Sequence, residues 1–569
     1  MFAEKLEVEL DKVLKKLQIK GVKIAFEHPA NLNFGDYSTN IALIAAKLQG
    51  KNPRELAEEI AKTWRELSLP DFVEKIEVAG PGFINIWLKF SALGTQLAKV
   101  LERGDQYGSS KQGKGQTVVI DYSAPNIAKP FGIGHLRSTN IGQALYNLYR
   151  FLGWKTIGDN HLGDWGTQFG SLIVQIKKAE REGLRLNDLT VADLEKMYVQ
   201  FHKEAADHPE LEEEARAWFR RLEDGDEEAR RIWQTCVDIS LKEFDWVYQL
   251  LGVKIDYAYG ESFYLDKMAA VLDDCRKKGL LKESKGAQVV EISGMKVPAM
   301  LVKSDGATTY LLRDLATIRF RRETWQPDLY LYEVGADQAL YFAQVFAIAA
   351  MLSYGQKDQF IHIAHGLIRW ATGKFSTRRG VTIHLEEVLG EAISRAKEIM
   401  TQAGVAKDLA SEEQAKVARA VGIGGIKYND LKQNPRTDII FDWNQILTFS
   451  GNSGPYLQYT YARIQSVLKK ASQAPGKFVP PAGLSPEETA LLRTIYQFPE
   501  VIIEAAKVFS PNLLCHFLFD LAQKFNLFYD KQRIIGSDNE QFRLSLAAAS
   551  GQVLKNGLTL LGIETLERM

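Results

Sequence analysis

Between Ser123 and Thr139 the chain reads SAPNIAKPFGIGHLRST, setting Lys129, His135 and Arg137 among Gly132 and Gly134. Glycines let a backbone approach a ligand closely, and the free amides of a helix start suit phosphate oxygens. An imidazole at such a start can donate to a phosphate oxygen, and neighbouring cations add charge. Taken alone, Gly-x-Gly-His fits a phosphate cradle and an ordinary tight turn equally well. A second stretch, WATGKFSTRRG from Trp370 to Gly380, places Lys374, Ser376, Arg378 and Arg379 among small residues. A solvated surface loop is the default for such a run. Its place after a buried strand, in a chain that already shows a phosphate-type loop, points to a second phosphate clamp.

Both loops need a sheet to position them, and the pattern around them supplies one. TVVIDY (117–122) is a short apolar run suited to a buried parallel strand. Ile141, Leu145, Leu148 and Leu152 follow at helical spacing, Gly153 can end that helix, and KTIGDNHL is the next strand. Strand, glycine-bearing loop, helix, strand is half of a doubly wound nucleotide-binding fold. A helix-rich segment from about Leu172 to Leu251 interrupts the pattern, and the sheet is expected to resume near AQVVEI (287–292). A helix from Tyr310, the strand LYLYEV, the helix QALYFAQVFAIAAMLSY and the strand FIHIAHGLI complete the alternation.

The two ends differ from this middle. Residues 1–110 suggest a helix to Leu17, a strand at VKIAFEH, and a helix in YSTNIALIAAKL capped by Asp36. VEKIEVAGPGFINIWLKF predicts two strands around a Gly-Pro-Gly turn, and RGDQYGSSKQGKGQ marks a boundary. Beyond Lys407 the pattern is helical throughout, with helices over 456–470, 486–508, 511–530 and 540–561. The expected fold is therefore α/β. A Rossmann-like parallel-sheet catalytic domain spans 111–406, with a helical insertion at about 172–251. An N-terminal α+β domain spans 1–110, and a C-terminal all-α helical domain spans 407–569.

Composition sets limits. The 71 basic residues balance 71 acidic ones, so any attraction for nucleic acid must rest on local patches. Cys236, Cys275 and Cys515 are far apart and form no CxxC pair, which argues against a zinc site or a disulfide framework and for a reducing compartment. The start, MFAEKLEVELDKVLKKLQ, has neither the apolar core of a secretory signal nor the acid-poor composition of a transit peptide. The longest apolar stretch, Phe342 to Leu352, is too short to span a bilayer and contains Gln344. A soluble, cytoplasmic protein without a membrane partner is expected.

The two loops resemble the HIGH and KMSK signatures of class I aminoacyl-tRNA synthetases. SAPNIAKPFGIGHLRST, NHLGDWGTQFG, YLLRDLAT and FSGNSGPYLQYTYARI are similar to the arginyl-tRNA synthetase family in particular, and the match runs through the terminal TLERM. Two departures stand out. The first histidine of HIGH is Gly132, leaving His135 as its only imidazole, and the second lysine of KMSK is Thr377, with Arg378 and Arg379 next along. The family often lacks that lysine, and Lys129 is the candidate substitute.

The resemblance implies activation of arginine by ATP, with Mg²⁺ on the nucleotide, to arginyl-adenylate and pyrophosphate. Transfer to the 3′-terminal adenosine of tRNA(Arg) follows. In the first step a carboxylate attacks the α-phosphate and negative charge builds on phosphoryl oxygens, so fixed donors and cations dominate and no general base is needed. His135, Lys129, Lys374 and Arg378 are the catalytic candidates. Gly132, Gly134, His135 and Ser376 are the ATP-binding ones, and no protein-held metal is expected.

The arginine pocket must offset the burial of a guanidinium, which calls for carboxylates and planar acceptors. Asp121 ends the first sheet strand, and Tyr310 and Asp314, four residues apart, share a helix face. In the family, positions matching Asp121, Asn126, Tyr310, Asp314 and Gln338 contact arginine. Without the resemblance, Asp314 could equally pair Arg313 or Arg319 on a surface helix.

For tRNA, GPGFINIWL offers Phe83 as a stacking platform and Asn85 as a base-edge partner, and the resemblance assigns this unit to the D-loop. Tyr456, Tyr459 and Arg463 fall on one helical stripe. That stripe, with Met569, matches anticodon contacts of the family, although aromatic stripes also serve ordinary packing. The implied partners are tRNA(Arg) and L-arginine, with a monomeric enzyme and no DNA. Two alternatives stay open. A small-molecule nucleotidyltransferase would share the loop and fold but have no use for the flanking units. A synthetase-derived tRNA-binding or regulatory module would be expected to lose pocket acids or loop cations.

Overall fold

The computed structural model describes residues 1–370, 384–476, 478, 481 and 483–569. The loop with Lys374, Ser376, Thr377, Arg378 and Arg379 lies outside the described residues.

The N-terminal unit begins with α1 (Phe2–Lys16), which buries Leu6, Leu10, Val13 and Leu14 on one stripe. Then come β1 (Tyr37–Thr39), α2 (Ile41–Gln49), α3 (Pro53–Glu66), β2 (Val73–Ala79), β3 (Phe83–Leu88) and α4 (Phe90–Arg103). The strands form an antiparallel sheet in the order β1-β3-β2. Two expectations are corrected here. VKIAFEH forms no strand, only a bridge from Glu27 to Ser38, and His28 instead reaches across to Glu500 of the helical domain (3.1 Å). Asp36 does not cap α2, which starts after Asn40. It is buried, accepts the Leu88 N–H (2.8 Å) and faces Arg493 (3.4 Å), tying the sheet to the helical domain.

The central region opens with β4 (Thr117–Asp121), α5 (Gly134–Phe151) and β5 (Lys155–Asp159). An insertion of helices follows: α6 (Gln168–Arg181), α7 (Val191–Asp207), α8 (Glu210–Glu223) and α9 (Glu227–Leu251). After α10 (Met268–Lys277) come β6 (Leu281–Ser284), β7 (Ala287–Val290) and β8 (Ala299–Val302), a separate antiparallel sheet. AQVVEI belongs to that sheet and does not resume the parallel one. Lys285 and Gly286 both have positive φ (52° and 80°), the signature of a two-residue hairpin turn, and a hairpin can only deliver an antiparallel strand.

The parallel sheet resumes after α11 (Tyr310–Trp325), with β9 (Leu329–Gly335), α12 (Ala339–Met351) and β10 (Phe360–His365). Its order is β10-β9-β4-β5, with Asp121 in register with both Asp159 and Tyr332. The chain moves from β4 outward to β5 and later returns on the other side of β4. That reversal opens a crevice beyond the carboxyl ends of β4 and β9, where ligands bind in such sheets.

FIHIAHGLI is not one strand. It breaks near Gly366, where a Cβ would lie 2.6 Å from the Thr437 backbone, and resumes as β11 (Ile368–Trp370). Past α13 (Leu385–Ala403) and α14 (Ser411–Leu431), β12 (Ile439–Phe441) pairs in parallel with β11, so the chain after Lys407 is not helical throughout. α15 (Trp443–Ile446), α16 (Gly454–Lys470), α17 (Pro486–Ile495), α18 (Phe498–Lys507), α19 (Asn512–Lys531) and α20 (Glu540–Leu560) complete the fold. Residues 486–508 form two helices because Pro499 cannot continue a helix and instead sits in the first turn of α18. One apolar core runs from α1–α3 through α5 into α17–α20, and a second joins α6 and α9 to α13 and α14.

Candidate active site

The loop from β4 to α5 crosses the mouth of the crevice under backbone strain. Ser123, Ala124 and Ala128 have positive φ of 77°, 46° and 60°. Such a conformation costs a non-glycine residue about 1–3 kcal/mol and persists only where the surroundings over-determine it. Here they do. The amides of Ser123, Ala124 and Ala128 donate to Ser138 Oγ, Asn160 Oδ1 and Ser240 Oγ, each at 2.9 Å. The Tyr248 hydroxyl shares a hydrogen bond with Ser123 Oγ (2.8 Å) and accepts from Asn160 Nδ2 (2.9 Å). Ile127 N–H donates to the Gly163 carbonyl (3.0 Å), and a Cβ at Gly163 would run into Oδ1 of the exposed Asn126. Ser240 and Tyr248 belong to α9, so the insertion is part of the site's scaffold, which its sequence gave no reason to expect.

His135 occupies the first turn of α5, edge-on to Phe131 (5.3 Å). Its Nδ1 accepts the Gly132 N–H at 3.2 Å, which leaves the proton of the neutral ring on Nε2 as a donor. Burial lowers its pKa below the ordinary histidine value, opposed by the hydrogen bond with the Gly132 backbone and reinforced by His365 and Lys129, so the neutral ring predominates at pH 7. Lys129 is exposed, with Nζ 5.7 Å from the Tyr198 ring centroid. A Cβ at Gly134 would meet nothing within 4 Å, so this side of the loop is open to a ligand. Arg137 does not add charge to the loop. It is 1% exposed and donates to Asp430 Oδ1 (3.0 Å) and to the carbonyls of Gly366 (3.0 Å) and Thr437 (2.6 Å), fastening α5 to α14 and the β12 segment.

Two groups of acids line the strand ends. Asp121 Oδ2 accepts Nη2 of Arg321 (2.7 Å), and Nε of the same guanidinium donates to Asp159 Oδ2 (2.8 Å). Arg321 is fully buried, its guanidinium 5.2 Å from the Tyr332 ring. Asp314, one turn beyond Tyr310 on α11, pairs neither of its neighbouring arginines. Arg313 goes to Glu261 (2.5 Å), and Arg319 goes to Asp274 and Glu323 (both 3.1 Å).

Asp314 instead accepts the Tyr341 hydroxyl and lies 3.7 Å from His161 Nε2, with its side chain 22% exposed. Burial raises its pKa, opposed by His161 and Tyr341. Burial likewise pushes Glu261 up to about 7 against the pull of Arg313. Tyr310 is 61% exposed, and Gln338 stands exposed just before α12, which carries Tyr341. Asp159, His161, Arg321 and Tyr341 were not singled out from the sequence. Asp159 and His161 follow a strand end as Asp121 does, which is a usable signal. Arg321 is one of four arginines on α11 and carries none.

The tRNA candidates fall into two places. Phe83 opens β3 at 37% exposure, whereas Asn85, two residues on, is 4% exposed between Ser38 and Glu77 and presents little to a base. On α16, Tyr459 and Arg463 line a cavity of about 950 Å³ together with Met569, Tyr529 and Arg533. Arg463 donates to Asn526 (2.6 Å) and lies 5.1 Å from the rings of both Tyr459 and Tyr529. Tyr456 does not line the cavity but packs on Phe519 and accepts from the same Asn526 (2.9 Å).

Comparison with known proteins covers the same ground. The catalytic-domain model of class I tRNA synthetases (R) matches residues 96–443, the arginyl tRNA synthetase N-terminal domain matches 4–88, and the DALR anticodon binding domain matches 457–569. The arginine–tRNA ligase of Clostridioides difficile is 41% identical over 566 residues, covering 98% of each chain. That of Fusobacterium nucleatum is 40% identical, covering 97% of this chain and 96% of its own. The arginyl-tRNA synthetase structure from Plasmodium falciparum superposes with a TM-score of 0.86 at 26% identity, over 100% of this chain and 99% of that one. The Thermus thermophilus arginyl-tRNA synthetase shares the fold, with a TM-score of 0.85 at 24% identity and 100% of both chains covered.

Proposed function

This chain belongs to the arginyl-tRNA synthetases, and from that premise we infer that the crevice beyond β4 and β9 carries its chemistry. It is an arginine–tRNA ligase that forms arginyl-adenylate and pyrophosphate from arginine and ATP and passes arginine to the 3′-terminal adenosine of tRNA(Arg). One observation carries the site assignment. A neutral imidazole and a lysine on the β4–α5 loop adjoin a crevice whose Asp314 is left unpaired by the arginines of its own helix.

In activation, the arginine carboxylate attacks the α-phosphorus and the bond to pyrophosphate breaks. Charge grows on the phosphoryl oxygens, where preorganised donors act most strongly. His135 Nε2–H and Lys129 supply that donation, and Gly132 and Gly134 let ATP approach the backbone. Lys374, Ser376 and Arg378, outside the described residues, are the proposed second phosphate clamp. Asp314 faces the substrate guanidinium, with Tyr310, Asn126 and Gln338 as polar walls and Asp121 beneath.

The donors on this loop suit phosphate oxygens and not a cation, and among the described residues no group of three His, Cys, Asp or Glu gathers to hold a metal. Mg²⁺ would arrive on the nucleotide and would offset charge on its phosphates. Phe83 and the Tyr459–Arg463–Met569 cavity are the proposed tRNA contacts, and Tyr456 and Asn85 are supporting residues beside them. We also take the enzyme to act as a cytoplasmic monomer without DNA or membrane partners. No helix among the described residues is long and apolar enough to cross a bilayer.

ATP–pyrophosphate exchange with each proteinogenic amino acid, with and without tRNA, tests this reading. Exchange should depend on arginine. Comparable exchange with lysine would overturn the pocket assignment.

A further inference from the structure

We propose that Arg321 is a positioning residue for arginine selection, a resident guanidinium that holds Asp121 and Asp159 as the acidic floor of the pocket and leaves Asp314 for the substrate's own guanidinium. The inference rests on the arginine pocket proposed above.

Asp121 and Asp159 end adjacent parallel strands in register, and both are buried. Two carboxylates so placed repel each other and call for a cation between them. Arg321 supplies it in a form a lysine cannot, because its planar fork meets one oxygen of each acid through two different nitrogens, at 2.8 and 2.7 Å. The bridge uses Oδ2 of each acid. Among the described residues the other oxygen of buried Asp159, Oδ1, has no hydrogen-bond partner. Arg321 and Asp121 also act on Asp314 with opposite signs, so the resident cation offsets the floor acid in the field at the carboxylate assigned to the substrate. A pocket for a cation that already contains one can discriminate only if the resident is locked away from the entering group. Full burial and two anionic partners lock it.

The competing role is a plain strap fastening α11 to the sheet. Arg321→Lys and Asp159→Asn, made in the full chain, separate the two, since the first keeps the charge without the planar fork and the second keeps the Arg321–Asp121 contact. In pyrophosphate exchange the KM for arginine should rise about tenfold or more, as expected when a charge-assisted contact is lost. The KM for ATP should stay within about twofold, and the preference for arginine over lysine should fall. An equal rise in both KM values, or a lowered melting temperature with the arginine KM unmoved, overturns the proposal in favour of the strap. If Arg321→Lys does not fold, Asp159→Asn, which retains the Arg321–Asp121 bond, carries the same expectation. Asp314→Asn run in parallel isolates the underlying reading. An unchanged arginine KM there overturns the pocket itself, whereas a raised one beside unmoved Arg321→Lys and Asp159→Asn overturns only the positioning role.

Discussion

The proposed arginine pocket and the α16 cavity both set a guanidinium against aromatic rings, but on different sides of the solvent boundary. Arg321 is fully buried between two carboxylates, with Tyr332 beside it. Arg463 is half-buried, bonds the neutral Asn526 and lies within 5.1 Å of the rings of both Tyr459 and Tyr529, on the wall of a cavity of about 950 Å³. Desolvated charge discriminates sharply, because an unmatched partner leaves a buried ion uncompensated. Half-exposed cations and rings bind by stacking and screened attraction, which tolerate variation and weaken with salt. The first suits selection of one small cation, and the second suits a large, flexible polyanion.

If preorganised groups in the crevice carry the chemistry, the largest effect belongs there. Lys129→Ala should slow pyrophosphate exchange on the order of a hundredfold, mainly in kcat, as loss of one transition-state donor does. Thr377→Lys in that background should recover part of the rate by restoring the cation that the second motif lacks. Near-normal exchange in Lys129→Ala would leave Lys129 a surface charge.

Asp314→Asn tests the desolvated side more gently. It should reduce arginine kcat/KM by roughly 1–3 kcal/mol while ATP binding changes much less. Equal losses for the two substrates would take Asp314 out of the pocket.

A smaller effect is expected at the half-exposed site. Arg463→Ala and Tyr459→Ala should each raise the KM for tRNA by about fivefold, near 1 kcal/mol and at the low end for a stacked contact, and less so as salt increases. Exchange without tRNA should not move. Unaltered aminoacylation kinetics would reduce this stripe to packing between α16 and α19.

The smallest effect separates the regions by pH. The folded-state pKa of His135 is lowered, chiefly by burial. The unfolded chain therefore takes up a proton near pH 6.5 that the folded chain still refuses. This contribution to stability is full above about pH 6.5 and is lost as pH falls through the folded value. Between about pH 7.5 and 5.5 the melting temperature of His135→Gln should fall less than that of the unaltered chain. Parallel melting curves would show that His135 titrates alike folded and unfolded.

Several features were legible because their causes are local. The β4 run, the α5 periodicity and the Gly-x-Gly-His turn each lie within one short stretch, where residue type alone constrains backbone and exposure. Tyr310 and Asp314 share a face for the same reason. The misreadings also have local causes. AQVVEI has the composition of a buried strand, which does not tell a parallel partner from a hairpin one. Arg137 follows the phosphate-type loop in sequence, but helical geometry turns it away toward Asp430.

From residue order alone came the class of fold and the family, together with the proposed nucleotide loop and the acids proposed for a guanidinium, since each is written in a contiguous segment. Only the folded chain decided which cation meets which acid. Arg321 reaches Asp121 across 200 residues of sequence, and Tyr248 holds Ser123 across 125. Such pairings depend on helices and strands already packed, where burial makes every unmatched charge costly and so selects one partner among several of the same type. Four arginines on one helix are equivalent in sequence, and the position of α11 against the sheet ends sends Arg321 inward to Asp121 and Asp159.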